Sequence, residues 1–136
     1  MELSELAKKF YLEGYSCSES ILHALKEAKV IDVPDEVLKA ITGFRQGISR
    51  RGCLCGVIAA STIAVGLLYG RISKEKSDEV ALKKAALIHD KFKEKFNSTC
   101  CRVLTRKWKD DFSSKERKEF CTSLVQWMVS ELKSLL

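Results

Sequence analysis

The stretch Arg50–Gly70, RRGCLCGVIAASTIAVGLLYG, limits what this chain can fold into more than any other. From Gly52 to Gly70 it carries no charged side chain, although Asp, Glu, Lys and Arg make up 31% of the residues. A run of this kind either crosses a bilayer or fills a protein core. Gly56, Gly66 and the Ala and Ser between them make it only weakly apolar for a lone membrane span. No second span accompanies it. The expectation is a buried central helix over about 54–69, with no membrane association. The opening MELSELAKKF is itself amphipathic, so no secretory signal is expected and the setting is taken as cytoplasmic.

Around this helix the pattern is helical throughout. A length of 136 residues suits a single domain, 1–136, with one core. Leu3, Leu6, Ala7 and Phe10 mark a first helix that Gly14 ends. Ser16 and Glu19 form an S-x-x-E capping box, so a second helix starts at Cys17. Val33-Pro34-Asp35 turns into a short helix, and the glycine-rich loop GFRQGISRRG leads to the central one. Ser73 is the expected N-cap of a long helix reaching about Phe96, with Ala81, Ala85, Ile88, Phe92 and Phe96 facing inward. Asn97-Ser98-Thr99 restarts the chain as a helix, with Cys100 and Cys101 in its first turn. The last is expected to be capped by Ser113, with Glu116 three residues on. No segment reads as a strand. The fold class is all-α, a bundle of about five or six helices.

The chain has six cysteines. Without a secretory signal, a disulfide framework is disfavoured, and metal binding, redox chemistry or core filling remain. Cys17 falls in the first turn of a helix, where free N–H groups and the helix dipole are expected to lower a thiol pKa. Cys101 is placed similarly. Cys53 and Cys55 lie where the glycine loop meets the central helix. On a helix they would point about 200° apart, so one of them, expected to be Cys55, faces any common site. Cys121 shares a face with Val125, Met128 and Leu132 and points inward. Converging helices could bring Cys17, Cys55, Cys101 and Cys121 together. Four thiolates can hold an iron–sulfur cluster or zinc, and two can cycle through a disulfide. The spacing leaves redox or metal use and inert core filling open, because no compact C-x-x-C pattern is present.

Other chemistries fit poorly. The glycine loop lacks the Gly-Lys-Ser/Thr of a P-loop and follows no strand, so Arg45, Arg50 and Arg51 are weak evidence for phosphate. His23 and His89 sit where a half-buried histidine is the simpler explanation. The net charge of +6 favours an acidic partner, but lysines spread over helix faces, without a recognised motif, do not indicate nucleic-acid binding. The small-residue central helix would suit a homodimer contact as well as a monomer core.

Five short pieces occur in order: GYSC at Gly14–Cys17, CLCG at Cys53–Gly56, GLLYG at Gly66–Gly70, CCRVL at Cys100–Leu104, and Cys121. From Phe10 to the last helix the chain resembles the redox-active family named C_GCAxxG_C_C for its cysteine signature. The resemblance implies that the signature cysteines are Cys17, Cys55, Cys101 and Cys121, with Cys53 and Cys100 as additional thiols. The central motif departs from the pattern, having Val57 and Ala59-Ala60 where the usual Ala and second Gly stand. Gly52-Cys53 also reads as the motif's GC, so Cys53 is an alternative to Cys55. A related domain occurs in a multihaem cytochrome that holds an iron–sulfur centre, so the resemblance implies an iron–sulfur electron carrier or a thiol–disulfide protein. In the first, the four signature thiolates are ligands. In the second, Cys17 or Cys55 attacks and another resolves. The alternatives are an interaction module with a four-cysteine zinc site and a basic binding protein with inert core cysteines. No C-x-x-C-H occurs, so covalent haem is not expected.

Overall fold

A computed structural model describes residues 1–109 and 111–136. The elements are α1 (Leu3–Leu12), α2 (Cys17–Glu27), α3 (Asp35–Ala40) running into a 3-10 turn (Ile41–Phe44), α4 (Gly56–Tyr69), α5 (Glu79–Phe96), α6 (Cys101–Leu104) followed by a 3-10 turn (Arg106–Trp108), and α7 (Lys115–Leu135). The fold is all-α, and no strand occurs among the described residues. No helix among them is long and apolar enough to cross a membrane.

The uncharged stretch is the hub. α4 packs against α2, α5 and α7, and α1 closes the bundle against α2 and α7. Its first six residues, Gly56–Ser61, are all buried, as are Ala64 and Val65. They meet Ile21, Leu22 and Leu25 of α2, Ile88 and Phe92 of α5, and Val125, Met128 and Leu132 of α7 in one continuous core. Small residues along α4 let these larger side chains close around it.

Local signals set most helix starts. In the capping box of α2 the Glu19 N–H donates to Ser16 Oγ at 3.2 Å and the Ser16 N–H donates to Glu19 Oε1 at 2.9 Å. Asn97, in the left-handed region at φ 70°, ends α5.

Three boundaries differ from expectation. The central helix begins at Gly56, not near 54, because Cys55 is its extended N-cap. The long helix begins at Glu79, and Ser73 caps nothing. Arg71 gathers the intervening turn around itself, donating to the carbonyls of Lys74 (3.0 Å) and Lys76 (2.8 Å) and pairing with Asp78 at 3.2 Å. The last helix is capped by Ser114, whose Oγ accepts from the Arg117 N–H at 3.3 Å. Ser113 is engaged instead with Asp111 at 2.9 Å.

Candidate functional site

Four thiols converge, three of them where helices begin. Cys17 is the first residue of α2, Cys55 the N-cap of α4, Cys101 the first residue of α6, and Cys121 lies two turns into α7. Each of Cys17, Cys55 and Cys121 feels the charge of other members of the four, so they form one electrostatic group. Cys55 is the deepest at 4% exposed, and the other three are half-buried. Close packing of α2 on α4 makes this convergence possible. A Cβ on Gly56 would lie 2.6 Å from Cys17 Sγ, so only glycine leaves room for that sulfur.

The segment before α4 is held by its own glycines. Gly47, at φ +70°, and Gly52, at φ +82°, let the loop backbone fold tightly on itself and against Arg102. Two backbone bonds then clamp it to the start of α6: the Cys55 N–H donates to Thr99 O at 2.8 Å, and the Arg102 N–H donates to Gly52 O at 2.9 Å. Cys55 itself is extended where it enters α4. Cys55 turns inward to the other three thiols, and Cys53 turns outward to Cys100, with the two sulfurs 3.8 Å apart. The six cysteines thus sort into an inner four and an outer pair.

Donors aim at the inner sulfurs. The Ser18 N–H acts on Cys17, and the N–H groups of Val57 and Ile58 act on Cys55, which is the expected use of unsatisfied helix N-termini. Tyr11 and Arg117 act as hydrogen-bond donors on Cys121. Arg117 also reaches Cys101 Sγ at 3.8 Å and lies over the Phe112 ring, 4.3 Å from its centroid. Arg117 is only 5% exposed. It precedes Cys121 by one helical turn, and that spacing was the available signal for it. Nothing in the sequence pointed to Tyr11.

The expectation of a low-pKa thiol at Cys17 is overturned. Burial first, then the neighbouring Cys55, Cys121 and Cys101, push the Cys17 thiol well above its ordinary value. Burial pushes Cys55 up to about 12, against the opposing pull of the Val57 N–H. Cys121 is raised by burial and by Cys101, with Arg117 and Tyr11 pulling the other way. The helix N-terminus contributes a fraction of an elementary charge. Desolvation of an anion beside three more potential anions outweighs it.

A cavity of about 130 Å³ reaches the group from outside, lined by Tyr11, Cys17, Arg45, Cys101, Arg117 and Cys121 among others. Cys55 lies behind it. His23 is half-buried against the rings of Phe10 (5.2 Å) and Tyr15 (4.6 Å). His89 is exposed and bonded to Asp90. Neither belongs to the site.

As a donor set, four cysteine sulfurs are those of iron–sulfur and zinc sites. Among the described residues no three Cys, His, Asp or Glu side chains are drawn together tightly enough to hold a single metal ion. A single zinc needs every sulfur at about 2.3 Å from one point.

Residues 15–135 match the family described as "Putative redox-active protein (C_GCAxxG_C_C)". The chain belongs to this family. No curated protein and no solved structure matches it. The four cysteines that the resemblance assigned to the C_GCAxxG_C_C signature are the inner four. Cys53, the alternative to Cys55, lies in the outer pair.

Proposed function

We propose that this chain is an electron-transfer protein whose Cys17, Cys55, Cys101 and Cys121 thiolates hold an iron–sulfur cluster. The observation behind this reading is that thiols from four separate segments lie near enough to act on one another's charge, with N–H, O–H and guanidinium donors directed at them. A cluster of this kind supplies one-electron transfer when bound. Free thiolates are penalised here by burial and by one another, yet the backbone at Ser18, Val57 and Ile58 and the side chains of Tyr11 and Arg117 all favour the charged form. The two tendencies are reconciled when positive charge stands among the sulfurs. Burial of Cys55 keeps water from that side, and Arg45, Arg117 and Lys118 around the opening suit an acidic redox partner.

The test is iron, zinc and acid-labile sulfide analysis of protein purified without oxygen. Iron with matching sulfide is expected. Cys55→Ser and Cys101→Ser should lose both, whereas Cys53→Ser and Cys100→Ser should keep them. Absence of iron even after reconstitution, or equal retention in all four variants, would end this reading. Zinc without sulfide would move it to a structural site.

The outer pair supports a second, thiol–disulfide reading. Cys53 and Cys100 sit 3.8 Å apart at the surface. Exchange with a small soluble disulfide would join their sulfurs, release two molecules of the small thiol and carry both thiol protons to them. Mild treatment with glutathione disulfide is expected to give a Cys53–Cys100 crosslink in peptide mapping. Crosslinks involving Cys17 or Cys55 in its place would show that the outer pair is not the reactive one.

A further inference from the structure

Beside the thiol site lies a second, larger cavity of about 390 Å³. Three separate segments supply its charges: Arg50 and Arg51 from the glycine loop, Arg102, Arg106 and Lys109 from α6 and the turn after it, and Arg117 from α7. Among the described residues no Asp or Glu lines it, and its remaining polar side chains include Gln46 and Thr105. Among the described residues none of the six cations is within salt-bridge distance of a carboxylate. Other cations of the chain do have such partners, Arg71 with Asp78 and Lys91 with Glu131 among them.

Two of the arginines are held in place by named contacts. Arg50 Nε donates to Gln46 Oε1 at 2.8 Å, and its guanidinium lies over Phe112, 4.7 Å from the ring centroid. Phe112 also carries Arg117, so one aromatic ring fixes two guanidiniums in the same wall. Arg117 is buried, and among the described residues its guanidinium donates to Lys109 O at 3.3 Å and reaches Cys101 Sγ at 3.8 Å and the Cys121 thiol, with no carboxylate in salt-bridge distance. Six like charges around one hollow repel one another, and a buried guanidinium with no carboxylate partner among the described residues is costly. A multiply charged anion in the hollow would offset both terms. Guanidinium forks match phosphate oxygens two at a time, and several of them favour a ligand with more than one negative group.

We propose that this cavity binds a small anion of the diphosphate class. The site uses charges that the thiol group does not need, apart from Arg117, and does not rest on the cluster reading. Its volume is in the range of small-molecule sites and leaves space for an organic portion.

Inorganic diphosphate is the probe, followed by titration calorimetry of the full chain at low ionic strength. Saturable one-to-one binding is expected. Arg102→Gln combined with Arg106→Gln should weaken it at least about tenfold, the loss expected when charge-assisted hydrogen bonds are removed. Both side chains are exposed, so the fold should survive, and Arg51→Gln gives an independent check. Lys74→Gln combined with Lys76→Gln removes the same charge at the far end of α4 and should leave binding unchanged. No saturable binding in the native protein would overturn the proposal. Equal weakening in the two double variants would do so too, since net charge alone would then explain the binding. Iron content measured on the same samples keeps this result separate from the fate of the cluster reading.

Discussion

Gly56→Ala is expected to destabilise the chain and dislodge Cys17 together. The added methyl would sit 2.6 Å from Cys17 Sγ, 3.3 Å from Ser18 Cβ and 3.4 Å from the Ser18 backbone nitrogen. Two opposing effects must be weighed. Alanine is the better helix former by about 0.8–1 kcal/mol in a helix interior, and by less at the first position, where Gly56 stands. Overpacking a closed core costs about 1–3 kcal/mol. The clash should win, because its first contact is a short side chain with one rotatable bond and its next is backbone. Relief comes either by turning Cys17 away from the other three thiols or by parting α2 from α4. Urea unfolding should show a lower midpoint, and alkylation of Cys17 in the native protein should speed up. A variant as stable as the parent, with Cys17 equally protected, would mean that the two helices are not packed as described.

The metal-free, reduced protein should lose stability steeply as the solution is made alkaline. An unfolded cysteine ionises near pH 8.5. In the folded chain, Cys55 is raised to about 12, and Cys17 and Cys121 are raised as well. Above about pH 8.5 the unfolded state therefore binds fewer protons than the folded one, and stability falls with rising pH. Each such thiol contributes a slope of about 1.4 kcal/mol per pH unit. Their contribution is fully present below about pH 8.5 and, for Cys55, is lost progressively up to about pH 12. Acidifying from neutrality should leave this contribution intact. Urea midpoints measured from neutral to alkaline pH test it, with Cys55→Ser expected to show the shallower slope. A flat profile across that window would mean that the inner thiols are hydrated rather than buried together. The same inversion predicts that bound metal or cluster would protect the chain against alkali, since the thiolates would then already be formed and compensated.

Much of the architecture was legible because it is written in local chemistry. The S-x-x-E box marked the start of α2 at Cys17, the uncharged run marked α4, and the period of Ile88, Phe92 and Phe96 marked the buried side of α5. Such signals act within a turn or two of chain. The start of α5 escaped for the same reason: Arg71 binds carbonyls three and five residues on, and a propensity argument does not weigh a turn built around one guanidinium.

The site divides along the same line. The order of the cysteines, and the placing of Cys17 and Cys101 in the first turns of helices, follow from the sequence alone. Tertiary structure decided which sulfurs meet. Cys53 and Cys55 are two residues apart, and only the clamp of the loop onto Thr99 and Arg102 turns one inward and the other toward Cys100. It also reversed the expected acidity of Cys17, because desolvation and neighbouring thiols depend on distant segments that a helix dipole does not sense. The arginine cavity has the same origin. Arg50, Arg102 and Arg117 are scattered through the sequence as ordinary basic residues, and only the fold makes them neighbours.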